Sequence, residues 1–300
     1  MLPFVVAGVD GSAESLAAAE WAAREAARRE RPLTLVHAWH WHPRQGEGET
    51  ASAAQRSLGR RVLREAEDRV RAAVHGALPR DEQVEGTATE ALLRQGERAE
   101  LLVLGSRGLS GFAGFLVGSV ALGVVARATR PVVLVRAGEE AEDEHVPADD
   151  GSGSTRTAYR DVVLGLDLGD PCDEVVEFAF EAARARGARL RVVYAWQSPS
   201  AFSLGPGDIA LVDERRRAEE WQGFLSAVLQ VWREKYPGTE VLETVVQGKA
   251  STALVRAASS ASLLVVGHRL TDRPVGPRTG PVTHAVIQHA GCPVAVVPHE

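Results

Sequence analysis

The chain has 300 residues, 45% of them hydrophobic and 25% charged, a composition that can build more than one globular core. Its formal net charge of −6 gives no general attraction to nucleic acids or anionic membranes, so we expect neither as a partner. Two cysteines, Cys172 and Cys292, do not make a disulfide framework. Because Met1 leads almost directly into an apolar strand, we expect no signal peptide and a cytoplasmic location.

Apolar and helical segments alternate along the chain, and this alternation predicts an α/β fold. The apolar runs, such as Leu263-Leu264-Val265-Val266, lack polar alternation, which is typical of parallel strands covered by helices on both faces. In the first half, strands are predicted near 4–9, 33–39, 83–86, 101–105 and 131–136, with helices near 13–29, 52–78, 88–98 and 118–128. In the second half, strands are predicted near 161–167, 189–196, 240–246, 262–267 and 293–297, with helices near 171–186, 208–235, 250–260 and 281–290.

A glycine-containing loop lies between the fourth strand of the first half and the helix that follows it. Its spacing is Gly105, two residues, Gly108, nine residues, then Gly118 and Ser119. Glycines without a Cβ let backbone N–H groups approach an anion closely, and the start of a helix adds unpaired donors. The spacing therefore predicts a phosphate-binding loop.

The same pattern occurs twice in the chain. Residues of the first two strands recur 157 positions later, where Gly8, Asp10, Ala38 and Trp39 correspond to Gly165, Asp167, Ala195 and Trp196. Residues of the later strands recur 162 positions later, where Gly86, Gly105, Gly118 and Pro131 correspond to Gly248, Gly267, Gly280 and Pro293. We therefore predict two tandem copies of one domain, residues 1–138 and residues 158–300.

The segment 139–157 between the two copies is acidic. It contains Glu139-Glu140-Ala141-Glu142-Asp143-Glu144 and Asp149-Asp150, with almost no large apolar side chain. Such a stretch buries too little surface to offset the entropy lost on ordering, so we expect a flexible, solvated linker. An acidic tether for a basic partner is the alternative interpretation.

Two further motifs stand at strand ends of the first copy, Val9-Asp10-Gly11-Ser12 and His37-Ala38-Trp39. Together with the glycine loop they resemble the ATP-binding branch of the universal stress protein family, and the resemblance covers nearly the whole chain. It implies two doubly wound, Rossmann-like parallel sheets of five strands each in the order 3-2-1-4-5. Ligands of open α/β sheets bind where the strand order reverses, which here places an adenine nucleotide between strands 1 and 4.

The resemblance also implies roles for individual residues of the first copy. Asp10 would accept hydrogen bonds from the ribose or hold Mg²⁺ through the nucleotide, although a helix cap is the structural alternative. The backbone of Ala38 would contact adenine, with strand packing as the alternative. Contacts to ribose and phosphate would come from the loop, which is otherwise an unliganded tight turn: Gly105, Gly108, Gly118, Ser119 and Val120.

The second copy departs from this pattern at two positions. Leu270 stands in the place of Gly108 and Pro281 in the place of Ser119, and proline supplies neither a hydroxyl nor a backbone N–H. The candidate binding residues that remain are Asp167, Ala195, Gly267, Gly280 and Val282. We therefore expect a weaker second site, unless charge-assisted contacts from arginines replace the lost donors, namely Arg269, Arg273 and Arg278.

The motifs of well-known nucleotide-dependent and hydrolytic enzymes are absent from the sequence, and no lysine or general base accompanies the glycine loop. No catalytic residue is therefore assigned. We expect an ATP-binding, nucleotide-responsive module of a stress or dormancy response. The alternatives are a nucleotide-independent interaction protein with vestigial pockets and a slow ATPase. A metal site at His37, His40 and His42 is less favoured than histidines at the rim of a strand end, since the second copy lacks them.

The last strands of the two copies are similar apolar edges, Val132-Val133-Leu134-Val135 and Val294-Ala295-Val296-Val297. The resemblance implies that single-domain relatives pair through this strand. Pairing the two edges within one chain would remove the aggregation hazard of both. We therefore predict an internal pseudo-dimer of the two domains, and a further homodimer stays open.

Overall fold

The computed structural model describes residues 3–39, 49–106, 117–197, 214–270 and 279–300, with the backbone alone at 49–52. The first repeat comprises β1 (Val5–Gly8), α1 (Ala13–Arg28), β2 (Leu33–Trp39), α2 (Glu49–Ala73), β3 (Arg80–Glu85), α3 (Ala88–Gly96), β4 (Leu101–Ser106), α4 (Ser119–Val125) and β5 (Val132–Arg136). The second repeat comprises β6 (Asp161–Gly165), α5 (Asp173–Arg186), β7 (Leu190–Trp196), α6 (Glu214–Lys235), β8 (Val241–Gln247), α7 (Ala250–Ala258), β9 (Ala261–Arg269), α8 (Pro281–His289) and β10 (Val294–His299). The predicted α/β alternation is confirmed.

Local sequence explains where several helices begin and end. Helix α1 begins after Ser12, whose hydroxyl accepts a hydrogen bond from the Ser15 amide at 3.2 Å. Helix α3 begins after Thr87, which caps the helix in the same way through the Glu90 amide. Helix α5 is terminated by Gly187, the residue after its last turn, whose φ of 58° is the left-handed conformation that glycine adopts without a steric penalty.

The ten strands form one continuous sheet in the order β3-β2-β1-β4-β5-β10-β9-β6-β7-β8. Each half has the predicted order 3-2-1-4-5, and its strands are parallel. Strands β5 and β10 pair antiparallel, with Val133 opposite Ala295 and both side chains fully buried. The predicted internal pseudo-dimer is thus confirmed, and the two expected five-stranded sheets are halves of a single sheet.

Two apolar layers fill the space between this sheet and the helices. One layer lies beneath α1, α2, α5 and α6 and includes the buried Trp21 and Phe180. The other lies beneath α3, α4, α7 and α8 and includes Leu92 and Leu254. Each layer contains residues of both repeats, so the core is continuous across the β5–β10 pair. None of the helices in the described ranges has the length and hydropathy of a membrane crossing.

The structure differs from the expected flexible, solvated linker between the repeats, because several residues of the segment 139–157 are packed or hydrogen-bonded. Residues Ala141–Glu144 form a short 3₁₀ helix, and Glu144 and His145 are buried. The Glu144 carboxylate accepts a hydrogen bond from Arg24 Nε at 2.8 Å and is also paired with Arg28. Composition alone missed this contact because a single buried carboxylate is held by arginines that lie far away in sequence.

Glu144 belongs to a buried charge network that joins the two repeats. Glu25 of α1 is fully buried, and its carboxylate contacts Arg186 of α5 at 2.7 Å, Arg29 at 2.7 Å and Arg28 at 2.9 Å. Burial opposes ionisation of Glu25, but Arg186, Arg29 and Arg28 together hold the pKa of its carboxyl far below its usual range. The network therefore ties the first helix of one repeat to the first helix of the other.

Replacing Glu25 with glutamine will leave the buried Arg186 without its countercharge. Removal of one partner from a buried ion pair costs about 3–5 kcal/mol, so we expect Glu25→Gln to lower the free energy of unfolding by about that amount. Urea denaturation monitored by circular dichroism measures the change. Glu20→Gln is the matched control, because Glu20 pairs with the largely exposed Arg69 and surface pairs contribute about 1 kcal/mol or less. Equal effects of the two substitutions would contradict this role for Glu25.

Glu139 lies beside the same network, at the start of the segment between the repeats. Burial raises the pKa of its carboxyl to about 7, and the neighbouring Asp143 and Glu144 add to the rise. The folded protein therefore keeps this proton at pH values where the unfolded chain, with a pKa near 4.5, has released it. The contribution of Glu139 to stability accordingly falls as the pH rises from about 4.5 to about 7.

We expect Glu139→Gln to remove this loss. The variant should match the wild type in free energy of unfolding at pH 5 and exceed it at pH 8 by on the order of 1 kcal/mol, since partial exposure screens the effect. Urea titrations at the two pH values measure the difference. The exposed neighbour Glu142 provides the control substitution Glu142→Gln, which makes the same change of side chain at an exposed position. A constant difference between Glu139→Gln and wild type at both pH values would refute the assignment.

Candidate functional site

The first crevice lies at the carboxyl ends of β1 and β4, where the strand order of the first repeat reverses. Its volume, bounded by the described residues, is about 560 Å³. It brings together the predicted site residues of the first repeat that the structure describes, namely Asp10, Ala38, Gly105, Gly118, Ser119 and Val120. Gly108 lies outside the described residues. Positions that are far apart in sequence therefore converge on one crevice.

The carboxylate of Asp10 is fixed in place by the turn that leads into α1. Its Oδ1 accepts hydrogen bonds from the Ser12 amide at 2.9 Å and from the Ser12 hydroxyl at 2.5 Å. Partial burial would raise the pKa of Asp10, but the hydrogen bonds from Ser12 and Ser15 outweigh it and hold the pKa below its usual value. Ser12, and not Asp10, caps the helix. Asp10 therefore presents an ionised acceptor at the mouth of the crevice.

Gly105 has a structural role that the spacing alone did not reveal. A Cβ built on Gly105 would lie 2.6 Å from the backbone carbon of Glu14 and 2.7 Å from the backbone nitrogen of Ser15. Such distances are shorter than any normal contact, and backbone atoms of a helix cannot move aside cheaply. Gly105 therefore permits the first turn of α1 to pack directly on β4.

Gly118 has the opposite surroundings. It is the N-cap of α4, with φ −56° and ψ 142°, a conformation open to any residue. A Cβ at Gly118 would meet no atom of the described residues within 4 Å. Neither backbone strain nor packing within the described structure explains a glycine here, and the open space belongs to the crevice. Ser119, the first residue of α4, is exposed beside it.

These two glycines should respond differently to substitution by alanine. Gly105→Ala forces a Cβ into the backbone of α1, and overpacking of this kind costs about 1–3 kcal/mol. Gly118→Ala adds a methyl group in open space at a compatible φ, and the poorer N-cap preference of alanine offsets the gain in chain entropy, so we expect a change within about 0.5 kcal/mol. Thermal and urea unfolding of both variants measure the contrast. Equal destabilisation by the two substitutions would show that Gly118 is also a packing residue.

The second crevice occupies the equivalent place between β6 and β9, with a volume of about 470 Å³. The predicted residues that line it are Asp167, Ala195, Gly267, Arg269 and Val282. Gly280 forms the N-cap of α8, outside this lining. Arg269 is paired with Asp170, which also lines this crevice. Arg273 and Arg278 lie outside the described residues.

The two departures from the first repeat have direct structural consequences. The Leu270 amide already donates a hydrogen bond to the His299 carbonyl oxygen at 2.8 Å, so it is not available to a ligand. Pro281 is the first residue of α8, a position that suits proline because that amide has no partner within the helix. The second crevice therefore offers fewer backbone donors than the sequence pattern of the first repeat provides.

Sequence reasoning missed three side chains of the second crevice. The Thr283 hydroxyl donates a hydrogen bond to the Gly267 carbonyl oxygen at 3.1 Å, and His299 reaches the crevice from the end of β10. Cys172 lies at its rim, where partial burial and the nearby Glu174 raise the pKa of the thiol. No motif marks these positions, because they come from neighbouring strands and helices and not from the glycine loop.

Metal binding by the histidine cluster receives no support from the part of the chain that is described. The His37 ring donates a hydrogen bond from Nδ1 to the Val9 carbonyl oxygen at 2.8 Å, which gives it a structural partner. His40 and His42 lie outside the described residues. Among the described residues there is no group of three or more histidine, cysteine or carboxylate side chains suited to a metal ion.

The fold and the two crevices define a class of protein, a tandem repeat of a doubly wound α/β domain with one crevice at each strand reversal. The model of the universal stress protein family matches residues 1–136 and 158–298. The chain therefore belongs to the universal stress protein family.

Several known proteins are similar to this chain. Universal stress proteins of Mycobacterium tuberculosis and Mycobacterium bovis are 33% identical over 303 residues, covering 97% of this chain and 96% of theirs. A universal stress protein from Archaeoglobus fulgidus has a similar fold, with a TM-score of 0.68 and 18% identity over 99% of this chain and 98% of its own. A universal stress protein in complex with cAMP is 31% identical over 45% of this chain and 98% of its own, with a TM-score of 0.38.

Proposed function

We propose that the first crevice binds ATP or a related adenine nucleotide, and that the protein acts as a nucleotide-responsive module in a stress or dormancy response. The observation that supports the proposal is that an ionised Asp10 lines the same crevice as the open space beside Gly118 and Ser119. This convergence occurs where the strand order reverses, which is the usual ligand position in open α/β sheets. A volume of about 560 Å³ is within the range of small-molecule sites.

Three regions of the crevice suit the adenine, the ribose and the phosphates of the nucleotide. Ala38 lies at the carboxyl end of β2, where its backbone would meet the adenine ring. Asp10 would accept hydrogen bonds from the ribose hydroxyls. Gly118 and Ser119 would receive the phosphates at the start of α4, and Val120 would complete the apolar wall.

Mg²⁺ would bind in this crevice only together with the nucleotide. Asp10 provides a carboxylate of the kind that Mg²⁺ prefers, and its Oδ1 is already occupied by two hydrogen bonds from Ser12. One carboxylate does not form a protein-built metal site. Asp10 would therefore supply a single oxygen to a cation held mainly by phosphate groups.

The residues of the two crevices also bear on the two alternative functions, a slow ATPase and a protein with vestigial pockets. Glu14 is a second carboxylate in the lining of the first crevice, but no observation places it on a reacting atom. The engaged Leu270 amide and Pro281 favour a weak or vestigial pocket in the second repeat. We therefore propose an asymmetric protein whose first repeat carries the nucleotide.

Calorimetric titration of ATP with Mg²⁺ into the full chain tests the proposal. Asp10→Ala removes a charged acceptor, and Gly118→Val adds a branched side chain where the nucleotide approaches. We expect each variant to bind ATP about ten- to hundredfold more weakly, since a charged hydrogen bond contributes roughly 1.5–3 kcal/mol. Gly238→Val is the matched control, because a Cβ there also meets nothing within 4 Å but lies far from the crevice in sequence and fold.

The same titration measures the proposed asymmetry through Gly280→Val in the second repeat. We expect this variant to keep the affinity and the heat of the dominant binding event. Wild-type affinity in both first-repeat variants, with unchanged circular dichroism, would refute nucleotide binding at this crevice. Loss of binding in Gly280→Val would instead assign the dominant site to the second repeat. Release of ADP above background during the titration would favour the ATPase alternative.

A further inference from the structure

A third cavity lies on the side of α7 that faces β7 and β8, apart from both crevices. Its volume is about 360 Å³. Helix α7 separates it from the second crevice, because Ala250 and Leu254 line that crevice whereas Thr252 and Arg256 line the cavity. Val193 lies in both linings. The cavity is therefore a neighbour of the proposed nucleotide region of the second repeat and not a part of it.

Of the residues that the structure describes, three cationic side chains and no carboxylate line this cavity. They are Arg191 on β7, Lys249 before α7 and Arg256 within α7. Among the described residues, none of the three side chains is joined to a carboxylate by an ion pair. Arg191 is the most unusual, because it stands on a strand between β6 and β8 and its Nε is buried without a hydrogen-bond partner in the described structure. A buried donor of this kind is normally satisfied by water or by a bound acceptor, and the cavity beside Arg191 has room for either.

The first repeat shows that this charge is not required by the fold. At the equivalent positions, offset by 157 or 162 residues, Thr34 replaces Arg191 and Thr87 replaces Lys249. Carboxylates occupy three further positions of the equivalent lining, namely Glu82, Glu85 and Glu90. These polar groups are paired locally, since Glu82 accepts from Gln95 at 2.7 Å and Glu90 accepts from Thr87 at 2.8 Å. Arg94 corresponds to Arg256, so the equivalent lining has one cation and three carboxylates in the first repeat, against three cations and no described carboxylate in the second.

The remainder of the cavity is apolar. Its walls include Val193, Val246, Ala253 and Ala257, which lie between the sheet and α7. Inorganic phosphate would satisfy the cations but leave these walls in contact with water. An anion that carries a short hydrocarbon body would satisfy both.

We propose that this cavity is a binding site for small organic anions that combine a carboxylate with a short apolar chain. The carboxylate lies against Arg191, with Lys249 and Arg256 at the rim, and the chain lies along Val193 and Val246. Arginine is suited to this role because its planar guanidinium donates two parallel hydrogen bonds to a carboxylate. The site is independent of the nucleotide proposal, since it uses the opposite side of α7.

Methyl-detected NMR titration of the full chain tests the proposal, with hexanoate as the probe. We expect saturable shifts confined to the methyl groups of Val193, Val246, Ala253 and Ala257, with the same affinity in the presence of saturating ATP. Hexylammonium, which has the same chain and the opposite charge, and inorganic phosphate, which has no chain, should each bind at least about tenfold more weakly than hexanoate.

Substitutions toward the first repeat provide the second arm of the test. Arg191→Thr and Thr244→Glu install the residues found at Thr34 and Glu82, and each should weaken hexanoate at least about tenfold. Arg60→Thr on the exposed face of α2 makes the same change of charge elsewhere and should leave the affinity unchanged. Equal binding of hexanoate and hexylammonium, shifts spread over other surfaces, or full affinity in Arg191→Thr would each overturn the proposal.

Discussion

The antiparallel pairing of β5 with β10 is the constraint on which the rest of the structure depends. Both strands are apolar on both faces, and each would otherwise be an open edge able to recruit another chain. Paired, they convert two small domains into one ten-stranded sheet with two continuous apolar layers. The Glu25–Arg186 ion pair then joins the helices above the same seam. Such a pair contributes more to fixing how the halves meet than to raw stability, because burial of its charges offsets much of their attraction.

This pairing also decides how the binding regions are arranged. Strands β5 and β10 run in opposite directions, and the strands within each repeat are parallel. The carboxyl ends of the strands therefore point to the top of the sheet in one repeat and to the bottom in the other. The two crevices therefore cannot merge into one shared site. The side chains of the two sites can therefore differ without any change in the core or the seam. The engaged Leu270 amide and the Arg191 cavity are two such differences in the second repeat.

Much of the fold could be read from the residues because parallel strands buried on both faces have an unambiguous apolar pattern. Runs such as Leu263-Leu264-Val265-Val266 and caps such as Ser12 place strands and helices within a few residues of their observed bounds. The convergence of Asp10 with Gly118 was also predictable, since the strand order brings their loops together. The buried Glu144 was not, because an acidic segment reads as solvated until its distant arginine partners are known.

The sequence by itself determined the repeat, the element order, the strand order through its family resemblance, and which loops meet at each strand reversal. All of these follow from patterns along the chain and from spacing that recurs. Only the tertiary structure decided why individual residues are needed: Gly105 packs against the backbone of α1, whereas Gly118 faces open space. It also decided that Arg191 lines a cavity without a carboxylate. These distinctions depend on which atoms lie across from a side chain, and that is set by packing between elements rather than by neighbours in sequence.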